Sequence, residues 1–248
     1  MSNETNQGSQ QPLDVLFLAN FVHQVINPMN GIAGTLDNIA DGTYIGEQAT
    51  RKANAARGQL EATIGLIRNL AFFADISSSN TVLREPSSNS LTILPQAVIE
   101  SLQFYQDVAN DRGVRLELND RDTQYAIRTR PEALKQVLMN LFDNATKYSD
   151  GSTRVTVTSG IQSDGSLSVA ITNFGIGFSG TEREKIFDLS YRSASAKASK
   201  ALGSGLGLFI CRKIMSDIIG GSIKAEHNNK TRETKFTLKF PQQKWFIK

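Results

Sequence analysis

Two long stretches with helical periodicity come first. Phe21, Val25, Ile32, Leu36 and Ile39 recur at three- and four-residue steps, which places one apolar stripe along a helix. The polar turn Asp41-Gly42-Thr43 ends that helix. Ala49, Ala53, Ala56, Leu60, Ile64, Ile67, Ala71 and Ala74 keep the same rhythm in a second one, up to Ile76. Two helices of roughly thirty residues with a short connection predict an antiparallel hairpin. A hairpin alone leaves apolar faces uncovered, so two chains are expected to pair into a four-helix bundle.

The pattern then changes. A Ser/Asn-rich stretch runs from Ser77 to Ser90 and contains Pro86. It predicts a boundary: a hairpin over residues 13–80, a linker over 81–90 and a second domain over 91–248. In that domain a helix starts near Pro95, where proline is tolerated in the first turn, and ends near Asp111. Short strands are expected at Val114–Leu118 and Ala126–Arg128. Pro131 opens another helix, with Leu134, Leu138, Leu141 and Ala145 on one face. Strands Arg154–Ser159 and Leu167–Asn173 flank the turn Ser163-Asp164-Gly165. Thr181 and Glu184 fit a capping box, and a helix over Gly205–Ile219 stops at Gly220-Gly221. In the last hairpin Phe236, Leu238 and Phe240 alternate with Lys235, Thr237 and Lys239. The expected class is α+β: the helical hairpin, then an α/β sandwich with one sheet face covered.

Composition narrows the options. With 40% apolar and 21% charged residues, the chain reads as an ordinary globular protein. Its net charge of +3 comes without blocks of like charge, so no nucleic-acid partner is implied. One cysteine, Cys211, excludes a disulfide framework and a multi-cysteine metal site. No run approaches the ~20 apolar residues of a membrane helix. The polar start, residues 1–12, lacks the features of a signal peptide and is expected to be a flexible tail. A cytoplasmic location follows as the expectation.

Four places carry candidate chemistry. His23 sits two positions from both Phe21 and Val25, about 200° around a helix, so it points away from the stripe. Pro28 removes the amide that would bond the carbonyl of Gln24, which predicts a bend just past an exposed imidazole. Asn140, Asn144 and Lys147 recur at i, i+4 and i+7 and make a polar face on an apolar helix. Carboxamide oxygens suit Mg²⁺, and a lysine suits phosphate. Gly175 and Gly177 follow a strand, and Gly203, Gly205 and Gly207 open a helix, where backbone amides favour an anion. This second cluster lacks the strand and acidic residue of a dinucleotide fold and the ending of a Walker loop.

In order, these motifs resemble the two-component sensor histidine-kinase family. His23-Gln-Val-Ile-Asn27-Pro28 looks like its H box, and Asn140 to Tyr148 like its N box. Asn173-Phe-Gly175-Ile-Gly177 looks like the first G box, and Ile186-Phe187 with Tyr191-Arg192 like the F box. Gly203 to Leu208 looks like the second G box. The resemblance covers about residues 13–240 and implies a dimeric hairpin followed by a Bergerat-type (GHKL) ATP-binding domain. It implies that His23 takes the γ-phosphoryl group of ATP and passes it to an aspartate of a response-regulator receiver. Asn144 would hold Mg²⁺ with Asn140 beside it, Lys147 would meet phosphate, and Tyr148 would line the nucleotide pocket with Asn173, Gly175, Gly177, Gly203, Gly205, Leu206 and Gly207. Asn27 would orient water for receiver dephosphorylation, and residues 193–202, with Lys197 and Lys200, would form a lid over ATP.

Two departures qualify the resemblance. The family usually has an acid directly after the histidine, and this chain has Gln24, which accepts a hydrogen bond but cannot take a proton. Slower autophosphorylation is expected. The first G box usually opens with Asp, and this chain has Asn173. Its NH₂ sits poorly beside the adenine amino group, a mismatch of order 1–3 kcal/mol, which Phe174 and Phe178 could offset. These changes motivate an alternative: a kinase-like phosphotransfer protein or pseudokinase that makes weak or no use of ATP. A third reading, a scaffold that only dimerises, leaves the polar face and the glycines without a reason.

Overall fold

The computed structural model describes residues 15–77, 90–199 and 203–248. The expectations for residues 1–12, for most of the linker, and for Lys200 and Leu202 in the lid lie outside them. The chain divides into two compact units, Met1–Ser79 and Asn80–Lys248.

The first unit is a helical hairpin: α1, Val15–Ala40, packs on α2, Gly46–Ser77. The turn between them is closed by Tyr44 N–H to Asn38 O at 2.8 Å and by Thr43 N–H to the Asp41 carboxylate at 2.9 Å. Gly42, with φ +79°, supplies its left-handed residue. α1 runs through Pro28, which is buried.

Of the stripe expected on α2, the hairpin buries only Ala56 among the described residues. Ala56, Thr63 and Asn69 are buried, while Leu60, Ile64 and Ile67 are exposed. On α1, Phe21 is buried and Leu36 is 54% exposed. A helix covered on one side hides only a narrow seam, so part of a broad apolar face is left over.

The second unit begins with β1, Leu91–Ile93, and α3, Leu94–Asp111. Then come β2, Arg115–Leu118, β3, Tyr125–Arg128, and α4, Pro131–Tyr148. The strands β4, Arg154–Ile161, and β5, Leu167–Phe174, follow. After a loop come α5, Ala194–Ala198, and α6, Gly207–Lys213. The chain ends with β6, Ser222–Asn228, β7, Glu233–Phe240, and β8, Trp245–Ile247.

Five strands form the main sheet in the order β2-β4-β5-β7-β6, with β2 parallel to β4 and the other pairs antiparallel. Alternation sets its core face: Val155 and Val157, Leu167, Val169 and Ile171, and Phe236, Leu238 and Phe240 are all buried. α4 packs on β5 and α6 on β6, with α4 also against α3 and α6. Leu134, Leu138, Leu141, Phe142 and Ala145 of α4 are fully buried. Each such large side chain contributes about 1.5–3 kcal/mol of transfer free energy.

Three local expectations change. The capping box is formed by Ser179 and Glu182, not Thr181 and Glu184: the Glu182 carboxylate accepts from Ser179 N–H at 2.9 Å. Both sets fit the spacing, but Glu182 also accepts from Ala194 N–H at 3.0 Å and Tyr191 O–H at 2.9 Å, so the fold rewards the earlier register. The helix expected from Gly205 is α-helical only over Gly207–Lys213 and continues as a π-helical turn, Ile214–Ile219, capped by Gly220 at φ +75°. β1 and β8, three residues each, were not expected; they pair on either side of β3 in a small second sheet.

Candidate functional site

In the hairpin unit, His23, Gln24 and Asn27 are all exposed on α1. Phe21 is buried and Val25 half-buried two positions either side, so the packing seam turns His23 outward. An imidazole there is open to a phosphoryl donor.

In the second unit, α4 and the glycine segments meet. Asn140 is buried; its Nδ2 donates to Gly207 O at 3.2 Å, and its Oδ1 accepts from Gln136 Nε2 at 3.4 Å. It therefore fastens α4 to the first turn of α6, where the sequence suggested a ligand-facing amide. One turn later Asn144 is half-buried. Lys147 donates to the Asp143 carboxylate at 2.7 Å. An ammonium has three donors, so this pairing leaves two for an anion.

The end of β5 is pressed against the end of α4. Ile176 N–H bonds Tyr148 O at 2.8 Å, and Asp150 N–H bonds Phe174 O at 2.9 Å. A Cβ on Gly175 would lie 2.1 Å from Tyr148 O, so only glycine lets the backbones approach this closely. Gly205 has φ +72°, and a Cβ there would meet the Ser190 carbonyl carbon at 2.6 Å. Leu206 is fully buried, and Gly203 faces open space. Gly177 abuts the imidazole of His227.

Asn173 is 2% exposed, and its Nδ2 has no hydrogen-bond partner among the described residues. A buried amide left this way costs about 1–3 kcal/mol, so the fold holds a donor waiting for an acceptor.

A cleft of ≈ 640 Å³ opens beside this loop, lined among others by Gly175, Gly177, Lys185, Tyr191, His227 and Arg232. Asn140, Asn144, Lys147 and Tyr148 are not among its lining residues. Burial, and next the Arg232 guanidinium, lower the pKa of His227 from its usual value. Burial pushes the Cys211 thiol up to about 12, so it is inert packing. Among the described residues no group of three His, Cys, Asp or Glu is placed to hold a metal. No helix among them is long and apolar enough to cross a membrane.

Residues 129–244 match the family model of histidine kinase-, DNA gyrase B- and HSP90-like ATPases. The chain is 27% identical to sensor protein EvgS of Escherichia coli over 91% of its own length, and 29% identical to sensor histidine kinase AruS of Pseudomonas aeruginosa over 85%. Over most of its length the chain is similar to sensor histidine kinases. It spans only 18% of EvgS and 21% of AruS. Solved histidine kinases share its fold. One is AdeS of Acinetobacter baumannii, with TM-score 0.59, 20% identity, and coverage of 89% of this chain and 98% of that one. Another is ThkA in complex with the response regulator TrrA, with TM-score 0.63, 20% identity, and coverage of 93% and 62%. Residues 129–244 of the second unit, which carry this loop, thus match an ATPase domain of the histidine kinase-, DNA gyrase B- and HSP90-like kind.

Several residues around the loop escaped the sequence reading: Asp143, Asp150, Glu182, His227, Arg232 and Thr234. Only Glu182 left a signal, the Ser-x-x-Glu spacing from Ser179. Arg232 and Asp150 are linked by two hydrogen bonds across 82 positions of sequence, which no local pattern announces.

Proposed function

We propose that this chain is an ATP-dependent protein-histidine kinase whose phosphoacceptor is His23. The observation that carries it is an exposed histidine on a helical hairpin, in a chain whose residues 129–244 match an ATPase domain of the histidine kinase-, DNA gyrase B- and HSP90-like kind. An imidazole nitrogen of His23 attacks the γ-phosphorus of ATP, the bond to the bridging oxygen breaks, and ADP leaves. Gln24 orients the ring through a hydrogen bond, and the imidazole proton goes to solvent. Catalysis then rests on positioning and charge neutralisation.

Asn144 would hold Mg²⁺, which would neutralise phosphate charge; its half-buried amide suits an oxygen ligand. Lys147, held by Asp143, would add an ammonium. Asn173, Gly175, Gly177, Gly203, Gly205, Leu206, Gly207 and Tyr148 would shape the nucleotide pocket, and Asn140 would align it. The phosphoryl group passes to an aspartate of a receiver domain in the cytoplasm, and Asn27 orients water for its removal. In this reading residues 13–80 are the dimerising hairpin, 81–90 the linker and 91–248 the ATP-binding domain. The exposed Leu60, Ile64 and Ile67 favour a homodimer through the hairpin.

A second reading, a pseudokinase or phosphotransfer protein, is favoured by the orphaned Asn173 amide. Incubation with γ-labelled ATP and Mg²⁺ separates the two. The kinase reading expects an acid-labile, base-stable label, lost in His23→Ala with the melting temperature unchanged. No label on His23 with any divalent cation sinks it.

A further inference from the structure

We infer that Arg232, Asp150 and His227 form a brace that positions the loop at residues 174–178 and thereby tunes nucleotide affinity. This rests on the reading of that loop as part of the nucleotide pocket.

The brace is a closed circuit. Asp150 N–H bonds Phe174 O at 2.9 Å, and Gly175 N–H bonds Arg232 O at 2.8 Å. The Arg232 side chain returns to Asp150 as a two-pronged pair, Nε to Oδ2 at 2.8 Å and Nη2 to Oδ1 at 2.9 Å. The end of α4 and the β6–β7 hairpin thus grip two consecutive loop residues. At the other end of the loop, a Cβ on Gly177 would lie 2.1 Å from His227 Nδ1, so the backbone rests on the imidazole. That ring is held by Nδ1···Thr234 Oγ1 at 2.8 Å and by the Phe178 ring at 5.9 Å between centroids.

Two features argue that the brace serves position more than stability. Arg232 has φ 57°, a left-handed conformation that arginine adopts only where its surroundings impose it. The ion pair is also half exposed, with side chains 55% and 42% accessible, where such pairs add little to folding. What it does determine is where the Arg232 carbonyl sits, and so where Gly175 sits.

The test uses the full chain and four variants: Arg232→Gly, which keeps the left-handed backbone without strain, Asp150→Ala, the double variant, and His227→Ala. Calorimetry with Mg–ATP is expected to show Kd raised about three- to tenfold in each single variant, with the Arg232/Asp150 double variant no worse than either single. Autophosphorylation at saturating ATP stays near wild type, so KM moves and kcat does not. Amide exchange at Gly175 and Ile176 speeds up in the nucleotide-free protein, while the melting temperature holds. Variants that bind ATP as wild type does overturn the inference alone. A fall in melting temperature that tracks Kd across the set also overturns it, in favour of a merely structural pair. Wild-type protein that binds no ATP removes the nucleotide-pocket reading and the inference with it.

Discussion

At the scale of single residues, His23 and Asn173 pose opposite problems. His23 is exposed, and its neighbour Gln24 cannot take a proton. General-base help is worth about a hundredfold or more when the base is well placed, so restoring a carboxylate has room to act. Gln24→Glu should raise the initial autophosphorylation rate at saturating ATP by at least about tenfold while leaving Kd for ATP unchanged. An unchanged rate would show that proton removal does not limit the reaction. Asn173 is buried with an unmet donor. The sequence announced the substitution there, but not the burial, which depends on where β5 lies between β4 and β7.

At the scale of elements, the turn at Ser179 shows how one carboxylate orders a loop. Backbone N–H groups of Ser179 and then Ala194, followed by the Ser179 and Tyr191 hydroxyls, hold the Glu182 carboxyl at about 2, below its ordinary 4.5. Unfolded chains take up this proton near the ordinary value, and the folded chain refuses it until the lower one. The contribution is therefore complete above about pH 4.5 and is lost as pH falls towards about 2. Wild-type protein should lose melting temperature more steeply than Glu182→Gln between about pH 5 and about pH 3. Parallel curves would show that the carboxylate adds nothing. Tyr191 and Ala194 sit beyond the turn, so this tie also anchors the start of the segment read as a lid. Which of two similar capping spacings is used was not legible, because the choice depends on partners nine and twelve residues away.

At the scale of the whole molecule, the unspent surface lies on the hairpin. On the hairpin, Leu36, Leu60, Ile64 and Ile67 are 54%, 42%, 43% and 49% exposed. The proposed homodimer accounts for it. Light scattering should show the wild-type chain as a dimer and the Ile64→Lys/Ile67→Lys double variant as a monomer with its helical signal largely kept. A double variant that stays dimeric would place the interface elsewhere. The heptad-like rhythm made the hairpin legible, but not which half of its broad apolar face stays inside.

The sequence by itself determined the periodicities, and through them the hairpin, the helices α3 and α4 and the alternating strands, because each is a local consequence of side-chain spacing. The ordered motifs from His23 to Gly207 likewise needed no coordinates. Tertiary structure alone decided that Asn140 bonds Gly207, that Gly177 rests on His227 and that Arg232 grips Asp150. These contacts join positions far apart along the chain, and strand order and register bring them together. His23 pointed outward in both views, since one helix and its stripe suffice to aim it; the loop expected to bind ATP is shaped by neighbours that only the folded sheet supplies.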